Sequence, residues 1–562
     1  MMNERREIEI KLEADSPERL QEFREAKELF PGYTLAPVRS KRFTDLYCDT
    51  PDFALLRAGF ALRIRAIQEE GRGKGSAKAR KPKIHYWVSA KSLNHPNVKG
   101  VHSRREVEGP LAGPKQWNRP AKWPKAVQAL LQELGLTEIS MTPLARIQQQ
   151  RDTRDLLHGN KKTRRVGELS ADTVTVYEPD PEDPWGPASQ VAHFAELEIE
   201  MGDTFQEDGA SLKRLQGWVK KLRQRPGLKP ARSSKFERAL RLIASHPPGS
   251  PPNTQGIQPR MPMAEAGRLI WRRQLVEMLL NEAGARQGED IEYVHDMRVA
   301  TRRARAAGDV FGPFFRRKGI KPHLKGLRKT ARRLGAVRDL DVALEALERY
   351  RQKRPKAEQK ALTALAAAWQ KERQAACQRL LDWLDSQEYR TFLVDFHRFC
   401  RTPGEAVRPW ETDGLQAPRP YQVRHAFPLT VLERYQTVRA FQVLFEEQDQ
   451  VALESFHALR VEGKRMRYSL EFVRHLLGEP GENLIRQLKR FQNHLGNLND
   501  AVVARVRLEA VIQAGLDKPA IRRYRDAQEG AIQELTRTFP AIWQGFIAKE
   551  NRLIVARAIA QL

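Results

Sequence analysis

The sequence predicts an α+β protein, a strand-rich N-terminal half with a few helices followed by an all-helical C-terminal half. Three observations carry this. Residues 6–13, "REIEIKLE", alternate charged and apolar side chains, the period of a strand with one apolar face. Beyond residue 263, apolar positions recur at helical spacing over long stretches. Between the two, 246–262, "HPPGSPPNTQGIQPRMP", is rich in Pro and Gly, lacks periodicity and reads as a linker.

Strands are expected at 6–13, 43–48, 60–66, 85–92, 101–108, 166–177 and 191–201, with helical stretches near 17–30, 122–135 and 206–225. The basic, Gly-containing tract 69–83 reads as a loop. Helices are expected at 264–283, 291–311, 321–352, 356–384, 387–399, 428–446, 450–476, 482–513 and 517–548. The gap 401–427, with Pro403, Pro409, Pro418 and Pro420, divides the helical half in two.

The chain has 562 residues, enough for two full-sized cores, and carries 98 Lys and Arg against 70 Asp and Glu, a formal net charge of +28. Such a surplus favours a polyanionic partner: nucleic acid, an anionic membrane surface or a phosphate polymer. Cys48, Cys377 and Cys400 stand in unrelated contexts. That excludes a disulfide framework and a Cys-based zinc site, and suits a reducing cytoplasm. The start is charged from Asn3 onward, without the apolar core of a signal peptide, and no apolar run reaches the length of a membrane span.

Several strands put like charges on one face. Arg63 and Arg65 oppose Leu62 and Ile64; Arg104, Glu106 and Glu108 share a face; Glu196, Glu198 and Glu200 oppose Leu197 and Ile199; Glu168, Ser170 and Asp172 align. For one strand the plain explanation is a solvated face. For all together, a barrel with apolar faces outward under helices and charged faces inward accounts for them better. Acidic strands then offer hard oxygen ligands for Mg²⁺ or Mn²⁺, and basic strands hold phosphate oxygens. Metal-assisted phosphoryl transfer needs both.

These residues resemble the CYTH domains, the triphosphate tunnel metalloenzymes. "EIEIK" (Glu7, Glu9, Lys11) looks like the family's ExExK signature. "LYCDTPDFALLRAGFALRIR" (Asp49, Arg63, Arg65), "WVSAKS" (Lys91), "GVHSRREVE" (Arg104, Glu106), "GELSADTVTV" (Glu168, Asp172), "ELEIEMGD" (Glu196, Glu198) and "SSKFERA" (Lys235) resemble its later segments in order. The resemblance implies an eight-stranded antiparallel β-tunnel with flanking helices, over a domain set at 1–245. It implies Glu7, Glu9, Glu196, Glu198 and Asp172 as ligands for Mg²⁺ or Mn²⁺. It implies Lys11, Arg63, Arg65, Lys91, Arg104, Arg151 and Lys235 as the grip on a triphosphate. Glu200 departs from the family pattern, which has Lys there.

The helical half is written twice. His295, Arg298, Arg302 and Arg305 correspond to His457, Arg460, Lys464 and Arg467 at an offset of 162, at spacings that put all four on one helical face. Lys325, Arg328, Gly335 and Asp339 correspond to Arg486, Lys489, Gly496 and Asp500 at an offset of 161. An internal duplication explains the agreement. A lone basic face is ordinarily solvated surface; two copies with the same His point to an anion contact or to a structural contact repeated by symmetry. Phe314, Phe315, Tyr468 and Phe472 sit at core-like spacing, which argues against base stacking.

This half resembles the CHAD, or conserved histidine α-helical, domain, over a domain set at 263–555 after the 246–262 linker. The resemblance implies two pseudo-symmetric four-helix bundles that bind inorganic polyphosphate. The contacts would come from His295, Arg298, Arg302, Arg305, Lys325, Arg328, Arg332, His457, Arg460, Lys464, Arg467 and Lys489. The leading expectation is a cytoplasmic, metal-dependent inorganic triphosphatase with a polyphosphate-binding C-terminal domain, a setting in which polyphosphate granules offer a place of association. A non-catalytic polyphosphate-binding or localisation protein comes second, since a mere polyanion binder has no need of four carboxylates among its cations. A class IV-type adenylate cyclase follows, for want of an evident adenine-reading element. A membrane is not expected as a partner, and nucleic acid ranks behind the phosphate polymers.

Overall fold

The computed structural model of the chain describes residues 5–69, 83–93, 101–136, 139–159, 164–202, 209–231, 233–408, 420–447 and 451–562. It divides into two compact units, Met1–Gln255 and Gly256–Leu562. Most of the expected 69–83 loop, from 70 to 82, lies outside the described residues.

The first unit has strands β1 (Arg5–Ala14), β2 (Glu28–Phe30), β3 (Tyr33–Leu35), β4 (Arg39–Asp49), β5 (Phe60–Glu69) and β6 (Lys83–Ser92). They are followed by β7 (Val101–Leu111), β8 (Thr142–His158), β9 (Arg164–Glu178), β10 (Ser189–Met201) and β11 (Leu228–Pro230). Its helices are α1 (Gln21–Glu25), α2 (Ala54–Arg57), α3 (Lys125–Glu133), α4 (Gly209–Leu222) and α5 (Lys235–Ser245). Strand pairing runs β8-β4-β5-β6-β7-β1-β10-β9, and β9 pairs back onto β8. Eight strands therefore close into an antiparallel tunnel, with β2 and β3 extending from β8 and β11 from β1. Closure removes the exposed strand edges that an open sheet would carry.

Apolar faces point outward, as the alternation predicts. Ile10, Leu12, Leu169, Leu197 and Ile199 pack against Leu215, Trp218, Val219 and Leu222 of α4. Leu46, Leu62, Ile64, Val88 and Val107 pack against Val127, Leu130 and Leu131 of α3. Burying each such side chain contributes roughly 2 kcal/mol. This double cover leaves the other parity of every ring strand facing the lumen. One ring strand, β8, is absent from the sequence expectation. Its stretch "RIQQQR" is polar on both parities: Gln148 is exposed, while Gln149 and Arg151 face inward. The period-2 signal vanishes there although the strand is central. The helix expected over 17–30 is instead a short turn, α1 and β2.

The second unit is all helical. Its first half holds α6 (Met263–Gln287), α7 (Ile291–Phe311), α8 (Arg317–Arg351), α9 (Lys356–Asp385) and α10 (Gln387–Arg401). Its second half holds α11 (Val423–Arg439), α12 (Gln442–Glu447), α13 (Leu453–Phe472), α14 (Gly478–Gln513), α15 (Pro519–Ile547) and α16 (Lys549–Ile559). In each half four long helices bundle and a further one, α10 or α16, closes the end. Helix α16 lies past the last expected helix. It is set off from α15 by an extended Ala548 (ψ 146°), three residues after Gly545 in the last turn of α15. Helix α11 starts at Val423 and absorbs Pro428, where the sequence suggested a start. The bundles meet through α7 and α13 and through α9 and α15. Among the described residues, no helix is long and apolar enough to cross a membrane. Cys48, Cys377 and Cys400 are free thiols.

Candidate functional site

The tunnel encloses a cavity of about 240 Å³ lined mainly by charge. On one wall, β1, β9 and β10 set Lys11 opposite Glu198, and Glu196 opposite Asp172. Lys11 Nζ lies 3.0 Å from Glu9 Oε1 and 2.9 Å from Glu198 Oε1. Lys235 enters from the first turn of α5, where a Ser234–Glu237 capping box fixes the helix start. Its Nζ lies 2.6 Å from Glu198 Oε1, 2.9 Å from Asp172 Oδ2 and 3.8 Å from Glu196 Oε2. Arg151, on β8, makes a bidentate pair with Asp172 at 2.8 and 2.7 Å and also reaches Glu198. On the other wall Arg63 donates to Ser89 Oγ at 3.1 Å, and Arg63 and Lys91 share Glu106 at 3.6 and 2.9 Å.

The electrostatics follow from burial and neighbours. Burial pushes Glu198 up, but Lys11, Lys235 and Arg151 outweigh it and hold the carboxyl well below the usual range. Burial raises Glu196 to about 7, with Glu198 and Asp172 adding to the shift and Lys235 opposing it. Burial pulls Lys235 down, yet Asp172, Glu196 and Glu198 prevail and raise it above the ordinary lysine value.

Of the residues expected here, Glu9, Lys11, Arg63, Arg65, Lys91, Arg151, Glu198 and Lys235 line the cavity, and Asp172 and Glu196 reach it through Lys235. The side chains of Glu7 and Arg104 lie outside the described ones, although their backbones pair across β1 and β7. Arg65 makes a bidentate pair with Asp45 at 2.7 and 2.8 Å, and Gln149 donates to the same carboxylate at 2.6 Å. Burial works against Asp45, but Arg65 and Arg63 hold it below the usual range. Sequence reasoning missed Asp45, Gln149, Tyr47 and Phe236, the last two stacked with centroids 4.6 Å apart at the cavity wall. Asp45 was within reach, since it alternates with Leu46 in "TDLYC". Asp49 instead starts α2, accepting from the N–H groups of Thr50, Leu55 and Leu56 at 2.7 to 2.9 Å.

Among the described residues, no three acidic, His or Cys side chains are arranged as a metal-binding group. The expected ligands are interleaved with ammonium groups: Lys11 joins Glu9 to Glu198, and Lys235 joins Asp172, Glu196 and Glu198. The donor chemistry nonetheless fits a hard divalent cation. Glu196 Oε1 is buried and accepts no hydrogen bond, an oxygen with its coordinating capacity unspent.

In the second unit the duplicated residues take equivalent places. Arg298 lies 3.3 Å from Asp339, and Arg460 lies near its counterpart Asp500. Gly335 leaves space beside Arg298, and Gly496 beside Arg460. His295 lies near Arg338; its counterpart His457 contacts Asn499 through Nδ1 at 2.9 Å. Burial and Arg338 lower His295 below the ordinary imidazole value. Arg298, Arg302, Arg460, Lys464 and Arg467 converge where α7 meets α13. Arg305, Lys325, Arg328, Arg332 and Lys489 are exposed on α7, α8 and α14. Phe315, Tyr468 and Phe472 are buried, and Tyr468 also lies under the Arg302 and Arg467 guanidiniums.

Fold and site together define a charged β-tunnel joined to a duplicated, basic helical unit. A model of the CYTH domain family matches residues 5–234, and one of the CHAD domain family matches 269–509. The chain carries a CYTH domain followed by a CHAD domain. Among solved structures, a CHAD domain from the plant Ricinus communis is 23% identical, covering 56% of this chain and 97% of its own, with a TM-score of 0.38. A putative adenylyl cyclase from Hippeastrum, described as having a dominant triphosphatase activity, is 20% identical, covering 41% of this chain and 93% of its own, with a TM-score of 0.26. PptA from Streptomyces chartreusis is 17% identical, covering 50% and 100%, with a TM-score of 0.38. No curated protein matches the chain.

Proposed function

We propose that the tunnel hydrolyses inorganic triphosphate with a divalent cation, Mg²⁺ or Mn²⁺, and that the helical unit binds inorganic polyphosphate. One observation carries the first part: carboxylates, Glu9 and Glu198 among them, alternate with lysine and arginine around one cavity, and Lys235 ties Asp172 and Glu196 to it. A simple polyanion binder gains nothing from those acids, which repel its ligand. A phosphoryl-transfer site needs both signs.

Arg63, Arg65 and Lys91 bind and orient phosphate oxygens from one wall, and Lys11, Arg151 and Lys235 from the other. Glu7, Glu9, Glu196, Glu198 and Asp172 would hold the cation. A cation held there would supply neutralisation of phosphate charge and a more acidic water. Glu198, already ionised, offers its charge without giving up a proton; Glu196 must release one above its raised pKa. The helical unit's stripe of Arg and Lys supplies a polyanion contact governed by counterion release. Its cytoplasmic setting belongs to the same reading.

The test is phosphate release from triphosphate with each cation, for wild type and Glu198→Gln. Loss of roughly 100-fold or more in the variant supports the reading, in line with removing one charge-stabilising group. Unchanged turnover rejects it.

A further inference from the structure

Where α7 meets α13, Arg298 and Arg302 stand against Arg460, Lys464 and Arg467. The Cζ atoms of Arg302 and Arg467 lie 5.6 and 4.8 Å from the Tyr468 ring centroid. The acids nearby are already engaged. Asp339 faces Arg298 at 3.3 Å, Glu471 takes Arg467 at 2.7 Å, and Asp500 lies near Arg460. Nε of Arg302 and Nε of Arg460 are buried with no acceptor, and Lys464 has no hydrogen bond or ion pair among the described residues. Arg302 and Lys464 thus lie among like charges with no carboxylate partner among the described residues, beside an Arg460 that already faces Asp500.

Within the four-residue stripe of α7 and α13 the duplication is broken at one position, where Lys464 is the counterpart of Arg302. The difference is chemical. Arginine keeps its proton in any protein environment, whereas a lysine buried among cations surrenders it. Burial, with Arg460, Arg302, Arg298 and Arg467 adding, pushes Lys464 down to about 7.

We propose that this cluster is a proton-coupled anion site, in which Lys464 is uncharged in the free protein at mildly alkaline pH and takes one proton from solvent as a phosphate oxyanion binds beside it. This rests on the polyphosphate reading of the helical unit. The oxyanion's charge stabilises the ammonium and raises its pKa, so protonation and binding reinforce each other. Affinity is then highest below pH 7. It declines as pH rises past 7, by at most about tenfold per pH unit for one proton. The acids in the cluster, Asp339, Asp500 and Glu471, are paired with arginine. His295 is lowered, away from this range.

The experiment is calorimetric titration of the full chain with polyphosphate of defined length, at about pH 6 and about pH 8, in buffers of different ionisation enthalpy. Wild type should take up roughly half to one proton more than Lys464→Arg at the higher pH. Its affinity should fall several-fold between the two pH values, while the variant's stays flat. Lys464→Met, checked for retained helicity, should lose the same uptake and guards against a misfolded first variant. Proton uptake equal in all three proteins overturns the proposal while leaving the polyphosphate reading intact. Absence of any binding heat in wild type overturns both.

Discussion

Arg303 Nη2 lies 3.0 Å from Glu471 Oε2, tying α7 to α13. The repeat offset of 162 turns Arg303 into Arg465 and Asp309 into Glu471. Arg465 and Asp309 form the reciprocal pair, with Nε and Oδ2 3.9 Å apart. Each half thus gives its arginine to the other half's acid, the pattern of an isologous interface with a two-fold axis, here within one chain.

The two pairs should differ in strength. Arg303–Glu471 is shorter, and Glu471 is largely shielded, at 13% side-chain exposure. In Arg465–Asp309 both groups are about half exposed, at 44% and 52%. Double-mutant cycles to alanine, read by thermal unfolding, should give a coupling of about 0.5–1 kcal/mol for the first pair and near zero for the second. Glu471→Ala alone should cost more than Arg303→Ala, because Arg467 also loses its 2.7 Å partner. Equal couplings would mean that the interface does not depend on the closer contact.

Arg154 has a purely structural task in the tunnel unit. Its guanidinium donates to five carbonyls, of Phe23, Arg24, Ala26, Leu35 and Ala36, at 2.5 to 3.1 Å. It pins α1 and the β3 region to β8. An ammonium cannot reach this fan of acceptors, and each carbonyl left buried and unpaired carries a desolvation penalty. Arg154→Lys should therefore destabilise the unit by about 2–4 kcal/mol, seen as a lower unfolding midpoint. A shift below about 0.5 kcal/mol would show that water replaces the guanidinium at no cost.

Glu196 gives the tunnel a pH signature with a definite sign. Its folded pKa is raised to about 7 from an ordinary value of 4.5, mainly by burial. Between those values the folded state binds more protons than the unfolded one, so this group's contribution to stability falls as pH rises from 4.5 to 7. A divalent cation on the freed carboxylate would reverse the loss. Without metal, Glu196→Gln should gain stability relative to wild type at about pH 8 and not at about pH 5. Added Mg²⁺ or Mn²⁺ should raise the wild-type midpoint more at pH 8 than at pH 5, and the variant's less. A pH-independent metal effect in both proteins would remove Glu196 from the ligand set.

Much of this was legible in the sequence, and the gaps have physical causes. Alternation revealed seven ring strands, because their outward faces carry the apolar residues under α3 and α4. It failed for β8, whose Gln148, Gln149 and Gln150 are polar on both faces. Lys11 and Glu198 were readable by parity, since both sit on strands. Lys235 was not, because it enters from the start of a helix, and only the family resemblance pointed to it. The duplication announced the basic stripe. That its two copies face each other appears only in three dimensions.

The paired arginines Arg298 and Arg460 separate the two halves of the proposed function. Each is half-buried, lies beside the glycine of the following long helix and is balanced by one aspartate, Asp339 or Asp500. Replacing either by Glu adds a second acid beside that aspartate, so polyphosphate meets repulsion where it met attraction. Neither residue belongs to the tunnel unit. Arg298→Glu and Arg460→Glu in the full chain should each weaken polyphosphate binding at least tenfold at low salt. They should also flatten the slope of log affinity against log salt by roughly one counterion per arginine removed. Triphosphate hydrolysis should stay within about twofold of wild type, since a screened charge outside the tunnel acts weakly on it. If polyphosphate affinity and its salt slope are unchanged in both variants, the polymer binds elsewhere on the chain. If hydrolysis falls together with binding, the helical unit takes part in turnover.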